Sequence, residues 1–245
     1  KLARIVPYGY KLPCAFYNAM IAPYASTPVR GFLWYQGESN AGRAEQHAVL
    51  FPAMIRSWRR LWRDDSLPFY FVQLPNYLKR QDKPCDEEWA RMRESQAKAL
   101  GLPHTGMAVT IDIGDAANVH PKNKQDVGRR LARWASRDCY GETDRLVSGP
   151  LFASSAVEGN RVRIRFTCAG KGLKAKEGVL KGFAVAGADK AFVWADAEID
   201  GDTVIVWSEA VPKPAYVRYA WANNPECTLV NAEDLPAAPF RTDPQ

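Results

Sequence analysis

Hydrophobic and polar positions follow two different periods along this chain, and the change falls near residue 148. Before it, apolar runs of strand length alternate with stretches of helical period. Residues 29–35, 69–74 and 107–113 read as buried strands. Leu50, Met54, Trp58 and Leu61 fall at i, i+4, i+8 and i+11 and predict a helix from about residue 44 to residue 62. Residues 87–100, rich in Ala, Glu, Arg and Met, predict a second helix. Pro121 suits a first helical position, so a third helix is predicted from there to about residue 137. A short helix over residues 14–22 is expected to end at Pro23.

Strands alternating with helices predict a parallel sheet wrapped on both faces. Three strands leave that sheet with two open edges, which need covering. The reading is therefore that earlier βα units are absent from this chain or come from another chain, unless short strands such as residues 3–6 complete the sheet. After Ser148-Gly149-Pro150 the period becomes two. Arg161-Val162-Arg163-Ile164-Arg165-Phe166 alternates strictly, and apolar runs at residues 182–187, 191–194, 203–207 and 215–220 follow. Glu158-Gly159-Asn160 and Asp200-Gly201-Asp202 supply turns. This predicts an antiparallel β-sandwich, and two domains, residues 1–147 and 148–245.

Composition narrows the class only a little. A chain of 245 residues, 47% hydrophobic and 24% charged, has the make-up of an ordinary globular protein. The net charge is +6, and its densest basic run is Arg56-Ser57-Trp58-Arg59-Arg60-Leu61-Trp62-Arg63. Trp and Leu recur there at helical spacing, so the arginines read as a solvated face rather than a nucleic-acid patch, and a mild attraction for anionic sugars is equally allowed. Five scattered cysteines form no CxxC pair, which predicts buried free thiols and no metal site. No apolar run reaches membrane-spanning length.

Candidate chemistry lies in two segments. Gly114-Asp115-Ala116-Ala117-Asn118-Val119-His120-Pro121 carries one of three histidines, between a strand and a helix. Imidazole exchanges protons near neutral pH, and α/β folds build their sites at strand C-termini. The other segment is Trp34-Tyr35-Gln36-Gly37-Glu38-Ser39-Asn40-Ala41-Gly42. Its Gly37-Glu38-Ser39-Asn40-Ala41 nearly spells a G-x-S-x-G nucleophile elbow, with Ala41 in place of the last glycine. With Asp112, Asp115 and His120 downstream, the residues alone allow Ser39 as nucleophile, His120 as base and an Asp as orienter. They equally allow Ser39 and Asn40 to cap the next helix, His120 to cap the segment after it, and Asp115 to bond its own turn. His47 reads as a helix-face residue and His104 as a loop residue.

Long motifs carry a resemblance across nearly the whole chain. They are Phe16-Tyr17-Asn18-Ala19-Met20-Ile21-Ala22-Pro23, Gly31 to Asn40, Met107 to Asp115, His120-Pro121-Lys122-Asn123-Lys124-Gln125, Val127 to Ala132, Leu180 to Phe183, Ala186-Gly187-Ala188 and Val217 to Pro225. On these segments the chain resembles the sialate O-acetylesterase family of SGNH-type carbohydrate esterases. The resemblance implies an α/β fold with a partial SGNH-hydrolase-like sheet, followed by the β-sandwich. It also implies a C-terminal half without the family's G-Q-S-N nucleophile block, which does not occur here, so that a missing N-terminal half or a second chain supplies the serine. Ser39 then falls in a substrate-side motif.

By the same resemblance His120 matches the catalytic histidine, and Gln36, with Gly37 and Asn40, lies on the substrate and oxyanion side. The acid three residues before the histidine is replaced by Ala117, so Glu38 is taken as helper acid, with Asp115 in reserve and an ion pair as the structural alternative for Glu38. The implied activity is removal of acetyl groups from a sugar, sialic acid first and acetyl-xylan as an alternative. It needs no cofactor and no metal, with no nucleic-acid or membrane partner and a periplasmic or secreted location. The competing reading is a non-catalytic carbohydrate-binding or structural fragment.

Overall fold

The computed structural model describes residue 12 and residues 14–244, so the strand considered at residues 3–6 lies outside it. Strands β1 (Phe32–Trp34), β2 (Phe69–Val72) and β3 (Thr105–Ala108) form a parallel sheet in the order β1-β2-β3. Trp34 sits opposite Phe71, and Phe71 opposite Met107. Helix α1 (Ala44–Trp62) follows β1, α2 (Glu88–Ala97) follows β2 and α3 (Lys124–Tyr140) follows β3. One sheet face packs aromatic rings against α1: Phe32 meets Trp58 edge-on at 5.2 Å and Phe51 meets Phe71 at 5.1 Å. On the other face Tyr70, Val72 and Ala108 pack against Val127, Leu131 and Trp134 of α3. Gly106 of β3 admits that helix, because a Cβ there would lie 2.3 Å from the Trp134 ring.

The helical and strand segments stand where the pattern put them, with corrections in detail. Leu50, expected in the core, is 53% exposed, and the buried stripe of α1 runs through Phe51, Ile55 and Arg59. Phe51 and Ile55, one position on from Leu50 and Met54, take the buried places against the sheet, while Met54 and Trp58 pack at its side. Arg59 is not on a solvated face: it is buried, and it donates to the carbonyls of Leu67 and His104 at 2.8 and 2.9 Å. Arg56, Arg60 and Arg63 are exposed as expected. β3 lies earlier than residues 107–113, because β2 stops pairing before Pro75; beyond Ala108 only side-chain links such as Thr110 Oγ1 to the Gln73 carbonyl continue it. Pro121 is not the first residue of α3. Asn123 caps that helix by accepting from the Asp126 N–H at 3.1 Å. Pro23 does not end a helix over residues 14–22 but sits inside a 3-10 turn (Ala22–Tyr24) that follows a π-helical turn (Tyr17–Ile21).

The rest of the chain is antiparallel. Its strands are β4 (Leu151–Glu158), β5 (Arg161–Thr167), β6 (Leu173–Ala175), β7 (Phe183–Ala186) and β8 (Val193–Trp194). They continue as β9 (Asp196–Asp200), β10 (Thr203–Trp207), β11 (Tyr216–Tyr219), β12 (Leu229–Asn231) and β13 (Phe240–Arg241). Two four-stranded sheets, β4-β5-β10-β9 and β13-β11-β7-β8, share a core across Val162, Ile164, Val204, Phe183, Val185 and Val217. The turn signals at Gly159 and Gly201 close the β4–β5 and β9–β10 hairpins, each glycine at positive φ. The same cluster of buried residues continues without a break into Phe32, Phe51, Ile55 and Phe69 of the first part.

A buried pair joins the two ends of this layer. Arg218 of β11 donates twice to Asp243, at 2.9 and 2.7 Å, with side-chain exposures of 10% and 2%. Burial alone would raise the Asp243 carboxyl, but the hydrogen bonds and charge of Arg218, with Arg241 behind it, outweigh burial and hold it below its ordinary value. A carboxyl lowered on folding contributes stability that is full above its unfolded value, near pH 4, and is lost as pH falls through the folded one. Urea midpoints of wild type and Asp243→Asn, measured from pH 6 to pH 3, are expected to converge below about pH 4. A gap that stays constant with pH would show that Asp243 contributes no proton-linked stability.

Candidate active site

The parallel sheet delivers two loops to its C-terminal edge. After β1 the chain turns through Tyr35-Gln36-Gly37 into a 3-10 turn, Glu38–Arg43, which leads into α1. After β3 it loops through Asp115 and His120 into α3. β2 lies between β1 and β3, so the two loops flank its end.

Gln36 is the best-held residue there. Its Nε2 donates to Asn40 Oδ1 at 2.8 Å, which leaves the second amide hydrogen for another acceptor. Its carbonyl accepts from Gln96 Nε2 at 3.2 Å. Gln96, buried in α2, also donates to the Val72 carbonyl and accepts from the Leu74 N–H at 2.9 Å, so one side chain pins the ends of β1 and β2 together. Gly37 is where α2 comes closest: a Cβ would lie 2.9 Å from both Gln96 Nε2 and Met92 Cε. Asn40 is thus a partner of Gln36 rather than a cap, and α1 starts without a side-chain cap.

Glu38 is half-buried at the start of the turn. Its charge reaches Tyr35, whose hydroxyl is pushed up to about 12, by burial first and by Glu38 second. The Tyr35 hydroxyl is buried without a hydrogen-bond partner, and Lys124 of α3 stands over the Tyr35 ring at 4.6 Å. Ser39 is exposed, and among the described residues no imidazole bonds it.

His120 stands at the rim with its ring exposed, and no side chain among the described residues bonds that ring. Its backbone N–H is held by Asn118 Oδ1 at 2.9 Å. Neighbouring Val119 packs on the cluster of Ala41, Leu74, Trp89 and Met92 that Tyr35 also touches, which brings the His120 loop to the Gln36 segment. None of the three candidate acids, Glu38, Asp115 and Asp112, bonds His120. Asp115 Oδ1 accepts from the Ala117 N–H at 2.9 Å within its own turn, and Asp112 is taken by Arg130 at 2.6 and 2.8 Å. His47 is buried in α1, stacked on Phe51 and 2.8 Å from Ser95 Oγ; burial lowers its pKa. Among the described residues no group of three or more His, Cys, Asp or Glu gathers as a metal site would need, and no helix is long and apolar enough to cross a membrane.

The structure adds residues that no motif announced. Arg93 of α2 has no exposed surface and donates to four backbone carbonyls: Leu74 (2.7 Å), Pro75 (2.7 Å), Ala222 (2.7 Å) and Asn223 (2.9 Å). Asn76 accepts from the Gly114 N–H at 2.7 Å and donates to Asn224 at 2.9 Å. The loop between β11 and β12 therefore braces the segment that follows β2, through Arg93 and Leu78, and reaches the head of the His120 loop through Asn76. Polar residues in loops give no periodic signal, and only an arginine placed amid an otherwise ordinary helix hinted at this.

Comparison with known proteins gives a consistent set. A family model described as carbohydrate esterase, sialic acid-specific acetylesterase, matches residues 10–137. A sialate O-acetylesterase from Mus musculus is 35% identical over 153 residues, 55% of this chain and 28% of that protein. The Homo sapiens sialate O-acetylesterase is 33% identical over 168 residues, 60% of this chain and 32% of that protein. A crystal structure of a carbohydrate acetylesterase from Xanthomonas citri superposes with a TM-score of 0.88 at 46% identity, covering 94% of this chain and 54% of that one. The chain thus spans about a third of the curated relatives and about half of the solved one.

Proposed function

This chain belongs to the sialic acid-specific acetylesterase family of carbohydrate esterases, and on that premise we propose that it supplies the base and the oxyanion side of a serine acetylesterase. The observation that carries this reading is that the same sheet edge holds a Gln36 amide fixed by Asn40, with one amide hydrogen left over, and an exposed imidazole, His120, that no side chain among the described residues bonds. In this reading the nucleophile is a serine outside residues 1–245, as in SGNH-type hydrolases. Its oxygen attacks the acetyl carbonyl carbon while His120 takes its proton. Gln36 Nε2 donates to the carbonyl oxygen as that oxygen becomes negative. The sugar hydroxyl leaves with the proton from His120. Water, deprotonated by His120, then attacks the acyl-serine and releases acetate. Glu38 is the proposed helper acid and Asp115 the reserve.

The substrate read here is an O-acetylated sialic acid, supported by the family description and by the relatives' names. A periplasmic or secreted location goes with that glycan substrate. The test is acetate release by the complete polypeptide from O-acetylated sialic acid and from acetylated xylo-oligosaccharides. Gln36→Ala is expected to lower kcat by ~10²–10³-fold with little change in KM, as for loss of one oxyanion donor. Ser39→Ala is expected to keep turnover; its loss would return Ser39 as nucleophile. Unchanged kcat in Gln36→Ala would remove Gln36 from the reaction.

A further inference from the structure

Of the eight tryptophans, five have an aromatic ring partner and two an arginine over the ring. Trp58 packs on Trp34 and Trp62, Phe32 packs on Trp58 and Trp62, Trp89 lies on Tyr77 and Trp134 on Tyr70. Arg161 covers Trp207, and Arg218 and Arg241 flank Trp221. Trp194 is the exception among the described residues: 46% exposed, at an edge strand, with neither ring nor cation on it. A lone exposed aromatic is common and by itself says little. This one, however, lines a cleft of about 410 Å³, within the ~300–1,000 Å³ usual for small-molecule sites. Its indole N–H donates to the Asp82 carbonyl at 2.8 Å, a bond across 112 residues of sequence that fixes the ring before any ligand arrives.

The polar groups around the ring carry both signs. Lys181 donates to Glu226 Oε1 at 2.8 Å, and Arg80 approaches the same oxygen at 3.9 Å. With Asp82 the wall holds two cations and two anions, so a ligand carboxylate finds no net attraction there. An apolar ring face beside donors and acceptors of both kinds suits an uncharged pyranose, whose C–H face is apolar and whose edge carries hydroxyls. The cleft also adjoins the reaction edge. Asn224, in its lining, accepts from Asn76, which holds Gly114 at the head of the His120 loop.

We propose that this cleft is a saccharide subsite that takes a neutral hexose unit of the substrate's glycan through a stack on Trp194; its place beside the acetylated sugar rests on the acetylesterase reading above. Lactose is the probe, titrated into the complete polypeptide and followed through the indole N–H signals in ¹H–¹⁵N spectra. Lactose is expected to shift the Trp194 signal in wild type. Trp194→Ala is expected to weaken binding about tenfold or more, and Trp194→Phe, which keeps an aromatic face, to stay within about threefold of wild type. Ala195→Gln, which fills the cleft and keeps the indole, is the second variant and is expected to lose binding as well. In turnover of an O-acetylated trisaccharide, KM is expected to rise about tenfold in Trp194→Ala.

No lactose binding in wild type, or binding as tight as wild type in Trp194→Ala and Ala195→Gln, overturns the subsite. Tighter binding of a methyl sialoside than of lactose overturns its neutral character. Lactose binding at Trp194 in a polypeptide that hydrolyses no acetyl ester leaves the saccharide site standing and overturns the esterase reading instead.

Discussion

His120→Ala in the complete polypeptide is expected to abolish acetyl-ester hydrolysis, lowering kcat by roughly 10³-fold or more, while its thermal midpoint stays within about 2 °C of wild type. The two halves of this expectation have separate causes. A base that must accept and return a proton in both acylation and deacylation has no substitute in methyl, so both steps stall. The fold loses little because the ring is exposed and no side chain among the described residues bonds it, while the loop is held by the backbone N–H of residue 120 on Asn118 and by Val119 in its cluster. Steady-state acetate release and a melting curve on the same sample decide it. Retained turnover removes His120 as base; lost turnover with a lowered midpoint assigns it to structure. Glu38→Gln measured alongside is expected to cost more kcat than Asp115→Asn, because the Asp115 carboxylate is already used by its own turn.

Arg93→Met is expected to cost about 5 kcal/mol or more, a large part of the ~5–15 kcal/mol that holds a domain together. The methionine fills much of the space, so the loss is one of bonding. The carbonyls of Leu74 and Ala222, both residues buried, lose the guanidinium as donor, while those of Pro75 and Asn223 keep only Trp89 Nε1 and the Tyr77 N–H. Burial already weakens the hold of Arg93 on its proton, lowering it to about 9, and the carbonyl dipoles stand in for the missing solvent. The midpoint is expected to fall by more than about 10 °C. Arg93→Lys is expected to fall between the two, since a single ammonium cannot reach carbonyls on two separate segments. A midpoint within about 3 °C of wild type in Arg93→Met would show that the four carbonyls find other partners.

The sequence was most readable where burial is periodic. Ala44–Trp62 is bounded as its spacing indicated, and Thr203–Trp207 coincides with its apolar run. β4 escaped notice because Leu151-Phe152-Ala153-Ser154-Ser155-Ala156-Val157-Glu158 is mostly exposed and has no inner face to alternate with. β6, β9, β12 and β13 were missed as well; three of them are only two or three residues long, too short for a period to show. The candidates Gln36, Gly37, Asn40 and His120 stand out in the sequence through motifs, and the structure adds the Gln36–Asn40 bond. What holds them does not stand out. Gln96 and Arg93 sit in a helix of unremarkable composition, and Asn76 and Asn224 are 148 residues apart. Their roles come from tertiary contacts, which leave no spacing in the chain.

The unbroken core between the helical layers and the facing antiparallel sheets bears on how such proteins change over generations. A module joined to its neighbour by a linker can be exchanged between genes, because its surface was already fit for water. Here Glu94 of α2 is clasped by Arg241 of the last strand, and the rings of one part rest in the same apolar mass as the valines of the other. Cut near residue 148, each side would carry a greasy scar and a set of stranded charges. The two parts are therefore expected to travel as one block, with changes in α2 tolerated only where Ala222, Asn223 and Arg241 can still meet them.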